Sequence, residues 1–293
     1  MDQPGEITSQ PVVVNACLRD GAGGSPTAVL VDGTGLGDRE LGAIARRAGT
    51  SHLAVLYGDR TVNGGQAVRF FTGEVELPAC GHGTVAAIAV LAVRAPGARF
   101  DGVLRSGGRD FDATGDVDPA AGAEGAVAAW FDQGVVRRRP VTAAEQVAFL
   151  AALGLEKGDL DPDDKVVVTS PGRERLLIPV ADREVLAGLR PDQRRLAAVS
   201  RDFDQLGCFV HVPPTPACRA AARMFAPAIG VPEDVANANS TGCLAAHLLA
   251  TGRNPVVAVD QGDALGRPST VHADAARLGD GIVTRVGGTA RPE

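Results

Sequence analysis

Short apolar runs rich in Val, Leu, Ile and Phe alternate along this chain with amphipathic and alanine-rich stretches. That is the pattern of a mixed α/β protein, not of an all-α or all-β one. The apolar runs predict strands over residues 12–18, 28–31, 53–57, 67–71, 126–131, 166–169, 176–180, 208–212, 256–260 and 282–286. Helix starts are signalled near Asp38, at Thr142, where Thr142-Ala143-Ala144-Glu145 reads as a capping box, and near Asp182. Two further stretches, Val85-Ala86-Ala87-Ile88-Ala89-Val90-Leu91 and Leu244-Ala245-Ala246-His247-Leu248-Leu249, are apolar nearly all round. A helix without a polar face must be surrounded, so each is expected inside a wrapping sheet. Gly252 should end the second one.

The two halves carry the same signals in the same order. The first reads Ser25-Pro26, an apolar strand, Asp38-Arg39-Glu40, Arg69-Phe70-Phe71-Thr72, a turn, and Cys80-Gly81-His82-Gly83-Thr84 opening an apolar helix. The second reads Ser170-Pro171, an apolar strand, Asp182-Arg183-Glu184, Arg223-Met224-Phe225-Ala226, a turn, and Asn237-Ala238-Asn239-Ser240-Thr241 opening another. The spacings differ, but the ordered series implies a duplicated α/β unit. The stretch 115–125, rich in Gly, Ala, Asp and Pro, is the expected linker. It divides 11–120 from 121–293, with a closing segment near 280–293 expected to rejoin the first domain and residues 1–10 expected as a disordered lead-in.

Composition narrows the function. The 293 residues suffice for two ordinary domains, and 45% hydrophobic with 22% charged residues is globular usage. A formal charge of −6 offers no basic surface for nucleic acid. The longest alanine-rich run, 84–95, is too short to span a bilayer, so a cytoplasmic protein without membrane or nucleic-acid partners is expected. The five cysteines, Cys17, Cys80, Cys208, Cys218 and Cys243, show no CxxC spacing. Neither a disulfide framework nor a zinc site is indicated, and no cofactor is implied.

Candidate chemistry gathers at the two helix starts. Helix N-termini present unpaired N–H groups and a partial positive charge, so each can hold a carboxylate. This makes Gly81, Gly83 and Thr84, and Asn237, Ala238, Asn239 and Ser240, candidate substrate-binding residues. His52 and His82 have side chains suited to moving a proton near neutral pH. Cys80, just before its helix, is a candidate nucleophile, and Asp234 can orient a histidine or hold an ammonium group. Each also has a plain structural reading: His52 as a satisfied strand histidine, Cys80 as a small buried hydrophobe, Asp234 as a turn cap, and 80–84 as a tight strand-to-helix turn. Arg69 and Arg223, at equivalent places in the repeat, are read as structural pairing residues. His211, His247, Cys208 and Cys218 are assigned to packing.

The motifs Phe71-Thr72, Glu76-Leu77-Pro78 and Cys80-Gly81-His82-Gly83-Thr84 resemble those of the PhzF-like proteins of phenazine biosynthesis. So do Phe225-Ala226-Pro227, Glu233-Asp234-Val235-Ala236 and Gly242, and the closing Gln261-Gly262, Gly266-Arg267-Pro268-Ser269 and Val286-Gly287-Gly288. The resemblance implies the fold of diaminopimelate epimerase and proline racemase: two pseudo-symmetric α/β domains, each a curved sheet or barrel around a central apolar helix, facing one cleft, commonly as a homodimer. Epimerases of that fold use two cysteines. Cys80 matches the first, the second falls on Asn237, and Cys243 lies inside the helix, so a two-cysteine racemase is not implied. His82 and Asp234 match the PhzF-type histidine and aspartate. The family's glutamate, which follows a serine near the third strand, is replaced by His52 after Ser51.

The expectation is therefore a cofactor-independent isomerase moving a proton on a small carboxylate-bearing metabolite, in specialised biosynthesis. The catalytic residues are His52, Cys80, His82 and Asp234. The alternatives are a thiol hydrolase or acyl transferase using Cys80 with a histidine base, and a small-molecule binding protein without catalysis.

Overall fold

Strands and helices alternate as the apolar pattern requires in a computed structural model, which describes residues 10–60, 65–119 and 125–293. Residues 1–9, which hold most of the expected disordered lead-in, lie outside the described residues, as do 120–124 of the expected linker. The chain forms two compact units. Unit 1 takes the chain up to Ala16, then Ser25–Phe131 and Thr289–Glu293; unit 2 takes Cys17–Gly24 and Asp132–Gly288.

In unit 1 the chain runs β1 (Val12–Leu18), β2 (Ser25–Val31), α1 (Asp38–Arg47), β3 (His52–Arg60), β4 (Gln66–Phe71), β5 (Glu76–Leu77) and α2 (Gly81–Arg94). Then come β6 (Arg99–Ser106), β7 (Arg109–Val117) and β8 (Val127–Val135). β1 pairs antiparallel with β2, and β2 runs parallel to β3. β4 lies antiparallel to β3 and to β5, and parallel to β6. β6, β7 and β8 continue as an antiparallel meander. The helix α2 packs on β2, β3, β6 and β7, and every residue from Gly81 to Val90 is buried. A polar face is absent because the helix is exposed to water only in its last turn, at Val93 and Arg94. The amphipathic α1 covers the other side of the sheet, setting Leu41, Ile44 and Ala45 against Leu30, Leu53 and Val55.

In unit 2 the order is β9 (Arg137–Pro140), α3 (Ala143–Leu153), β10 (Val167–Ser170), β11 (Arg175–Pro179), α4 (Arg183–Gly188) and α5 (Gln193–Asp202). β12 (Cys208–Val212), β13 (Arg219–Ala226), β14 (Val231–Asp234), α6 (Ala238–Ala250), β15 (Val257–Gln261), β16 (Ser269–Leu278) and β17 (Gly281–Pro292) complete it. β10 is antiparallel to β11, which is parallel to β12. β13 is antiparallel to β12 and to β14, and parallel to β15. β15, β16 and β17 then form an antiparallel meander. The buried helix is α6, which packs on β11, β15 and β16. β17 also pairs with β1 and with β8, so nine strands, β1 to β8 with β17, close a barrel around α2.

Strand for strand, the two pairing schemes match, and the duplication reaches individual side chains. In unit 1 Arg69 clasps Glu76 at 2.7 and 2.8 Å and lies 4.8 Å over the Phe71 ring. In unit 2 Arg223 clasps Glu233 at 2.8 and 2.9 Å and lies 5.0 Å over the Phe225 ring. Both arginines brace a strand to the hairpin that leads into the buried helix.

Three expectations change. Residues 115–117 belong to β7 and the units divide after Phe131, not at 120/121. Gly115 is there for packing, since a Cβ would stand 2.6 Å from Ile88 Cγ2 of α2. Strands β5, β6, β7, β9, β13, β14 and β16, and helix α5, give no strand or helix signal because their sequences are short, polar or alanine-rich. His247 does more than pack: it lies 2.8 Å from Asp164 Oδ1 and 2.8 Å from Arg138 Nη2. The helix starts at Asp38, Thr142 and Asp182 are realised, the latter two as N-caps of α3 and α4.

Candidate active site

His52 opens β3, and the parallel pairing with β2 sets it opposite Thr27. Ser51 Oγ lies 2.8 Å from His52 Nδ1, and Thr50 Oγ1 donates to the His52 carbonyl at 2.9 Å. The Ser51 hydroxyl thus bonds the ring and the Thr50 hydroxyl the backbone of the same residue. Cys80 is the N-cap residue of α2, with extended backbone, and His82 stands in the first turn. The three side chains converge. The rings of His52 and His82 meet edge to face with centroids 4.4 Å apart, and Cys80 Sγ lies 3.5 Å from His82 Nε2. One donor atom from each of the three lies within 4.8 Å of the others, and all three residues are buried.

The other expected residues of this helix start have distinct places. Thr84 Oγ1 donates to the Cys80 carbonyl at 2.8 Å, so its hydroxyl tightens the first turn. Gly83 leaves room for its neighbours: a Cβ there would stand 2.9 Å from Cys80 Sγ and 3.0 Å from Phe70 Cδ1. Among the described residues Cys80 gives the helix no side-chain cap. The start of a helix favours an acceptor such as a carboxylate in general.

The equivalent turn in unit 2 is built differently. Asn237 Oδ1 accepts from Ser240 N at 2.9 Å, and its Nδ2 donates to Asp234 Oδ2 at 2.8 Å. Its backbone N–H donates to Gln261 Oε1 at 2.8 Å. Asp234 Oδ1 accepts from Ala236 N at 3.4 Å, so this carboxylate braces the turn and orients the cap. Ser240 is fully buried, with Oγ near Arg175 Nη1 at 3.3 Å and Met224 Sδ at 3.6 Å. Both polar groups of Ser240 are thus engaged within unit 2. Ala238 is buried, and the Asn239 carbonyl accepts from Gln133 Nε2 at 2.8 Å.

Cys243 sits fully buried on α6, where desolvation raises its thiol pKa despite nearby Arg175. Burial and a raised thiol pKa both speak against its use as a racemase base. Cys208 is likewise pushed well up by burial. Sequence reasoning passed over Ser51, Gln133, Arg175 and Gln261 as positioning residues. Gln261, inside a quoted motif, and Ser51, the serine before His52, carried a signal.

A duplicated α/β fold of this pairing scheme, with an apolar helix buried in each unit, defines a class: the epimerase-like α/β fold. The family model described as phenazine biosynthesis-like protein (PhzC-PhzF) matches residues 14–292, and the chain belongs to that family. It is 31% identical over 239 residues, 77% of the chain and 74% of the relative, to an uncharacterized isomerase of Deinococcus radiodurans. It is 29% identical over 271 residues to the trans-2,3-dihydro-3-hydroxyanthranilate isomerase of Pseudomonas fluorescens, covering 90% of the chain and 89% of that enzyme. A PhzF-family protein of Bacillus anthracis shares the fold at a TM-score of 0.79, with 20% identity and 96% of each chain covered. A hydroxyproline epimerase of Agrobacterium vitis shares it more distantly, at a TM-score of 0.58 and 9% identity, over 97% of this chain and 90% of that one. The named activities among these relatives are isomerisations, and the chain is an enzyme of the isomerase class. No described helix is long and apolar enough to cross a membrane.

Proposed function

We propose that this chain is a cofactor-independent isomerase that relocates a proton on a small carboxylate-bearing metabolite of specialised biosynthesis. His52 and His82 are the proton-transfer groups. The observation that carries the reading is the contact of the two imidazoles, 4.4 Å between centroids, at the start of α2. A carboxylate accepting from the first N–H groups of that helix would bring its neighbouring carbons beside both rings. One imidazole takes a proton from carbon, the other, entering as imidazolium, gives its proton to a second carbon, and proton exchange between the touching rings or with solvent restores the starting pair. The sum is redox-neutral, so no electron carrier takes part. Asp234 acts by holding Asn237, and so the start of α6, in place.

A second reading rests on the 3.5 Å contact of Cys80 Sγ with His82 Nε2: a thiol nucleophile with a histidine base. The two separate in deuterated water. With trans-2,3-dihydro-3-hydroxyanthranilate as the first substrate to try, the isomerase places solvent deuterium on product carbon. Partial incorporation counts as support, since some groups return the original proton. A substrate-derived adduct on Cys80, with no deuterium in the product, would end the isomerase reading.

A further inference from the structure

We propose that His52, Cys80 and His82 together bind one divalent d-block cation of the zinc kind, and that the bound cation blocks proton transfer. Spacing along the chain hides this site. Cys80 and His82 are two residues apart, and the third donor comes from β3, brought in by sheet pairing.

The donor set is chemically selective. Two imidazoles and a thiolate suit Zn²⁺, Co²⁺ or Cu²⁺, whereas Mg²⁺ and Ca²⁺ prefer oxygen. The geometry also fits. With Zn–S near ~2.3 Å and Zn–N near ~2.05 Å, a tetrahedral site sets sulfur and nitrogen about 3.5 Å apart. Cys80 Sγ and His82 Nε2 stand 3.5 Å apart already. All three donor atoms lie within 4.8 Å of one another, so a small rotation of the His52 side chain completes the triangle. Ser51 Oγ on His52 Nδ1, at 2.8 Å, is the outer hydrogen bond that commonly fixes a ligating imidazole whose other nitrogen faces the metal. The three donors are carried by a strand start and a helix start, both rigid elements.

Charge is the opposing effect. The positive end of α2 disfavours a cation, and the thiolate that binds the cation cancels one of its two charges. The thiol proton leaves to solvent as the metal–sulfur bond forms. The complex then carries one net positive charge and keeps a fourth position for water or a carboxylate oxygen. The nitrogen lone pairs that accept protons in the isomerase are occupied, so the loaded protein is inactive.

The test uses the full chain, tag-free and stripped with EDTA, titrated with Co²⁺. One equivalent should give the visible bands of four-coordinate cobalt and a near-ultraviolet sulfur-to-cobalt charge-transfer band. That band should vanish in Cys80→Ser, and Zn²⁺ should displace the cobalt. His52→Ala and His82→Ala should each weaken binding. Ser51→Ala, which leaves all three donors in place, should weaken it ~10–100-fold. A folded protein with no charge-transfer band, or with one that survives Cys80→Ser, overturns the site. Zn²⁺ should stop deuterium incorporation and EDTA restore it; turnover that requires the cation overturns the block and the metal-free isomerase alike. Intact cobalt binding in a protein that exchanges no substrate proton would fail only the isomerase.

Discussion

The imidazole of His82 presents its ring edge-on to that of His52, 4.4 Å between centroids, although the two residues belong to different elements. A pair in such contact acts as a unit. His52→Ala and His82→Ala should each lower kcat by ~10²–10⁴-fold, the usual contribution of a positioned acid or base. The double variant should be far less impaired than the product of the two losses, because the second removal finds the unit already broken. Multiplying losses in steady-state kinetics would show two independent roles instead.

Gly83→Ala tests how tightly the thiol is held. Its new methyl would stand 2.9 Å from Cys80 Sγ and 3.0 Å from Phe70 Cδ1, and Phe70 is fully buried. Overpacking of this kind costs ~1–3 kcal/mol, readable in urea unfolding. The displaced thiol should also alkylate at a rate different from the parent's.

Thiol accessibility separates the cysteines. In the native protein Cys218, which is partly exposed, should react with a disulfide reagent first. Cys208 and Cys243, fully buried and with raised thiol pKa values, should react only on unfolding. Cys243→Ala should keep turnover largely intact. A folded but inactive Cys243→Ala protein would revive the two-cysteine racemase.

The equivalent arginines of the repeat should differ in worth. Arg223 and Glu233 have side chains 10% and 11% exposed, whereas Arg69 and Glu76 are 34% and 41% exposed. Arg223→Ala leaves a shielded carboxylate without its partner, a change that costs ~3–5 kcal/mol where an ion pair is buried. Arg69→Ala gives up a solvated pair, for which ~0–1 kcal/mol is usual. Denaturant titration of both variants checks the order.

Glu145 predicts an acid transition. Arg139 holds its carboxylate at 2.7 Å and Thr142 N donates to it at 2.8 Å, lowering its pKa from 4.5 to about 2. A depressed folded pKa stabilises above the unfolded value, and that stability fades as pH falls from 4.5 toward 2. Glu145→Gln should therefore be less stable than the parent at pH 7. The gap should narrow through that acid window, as followed by unfolding at a series of pH values.

Local signals carried much of this protein. The Thr142 capping box, the Asp182 cap and the all-apolar segments of α2 and α6 are written in neighbouring residues, so they are legible without a partner. The repeat was legible for the same reason, down to Arg69 and Arg223. Other features depend on contacts far along the chain. Arg219-Ala220-Ala221-Ala222-Arg223-Met224-Phe225-Ala226 has little intrinsic strand character, yet it forms β13 because β12 and β15 flank it and bury it. Asn237 reads as a free polar side chain until Ser240, Asp234 and Gln261 are seen to engage it. The meeting of His52 with Cys80 and His82 has the same origin. Their separation in sequence states only that each can move a proton or bind a metal. Sheet pairing and the burial of α2 bring them within reach, because a strand start and a helix start become neighbours when the barrel closes around its helix.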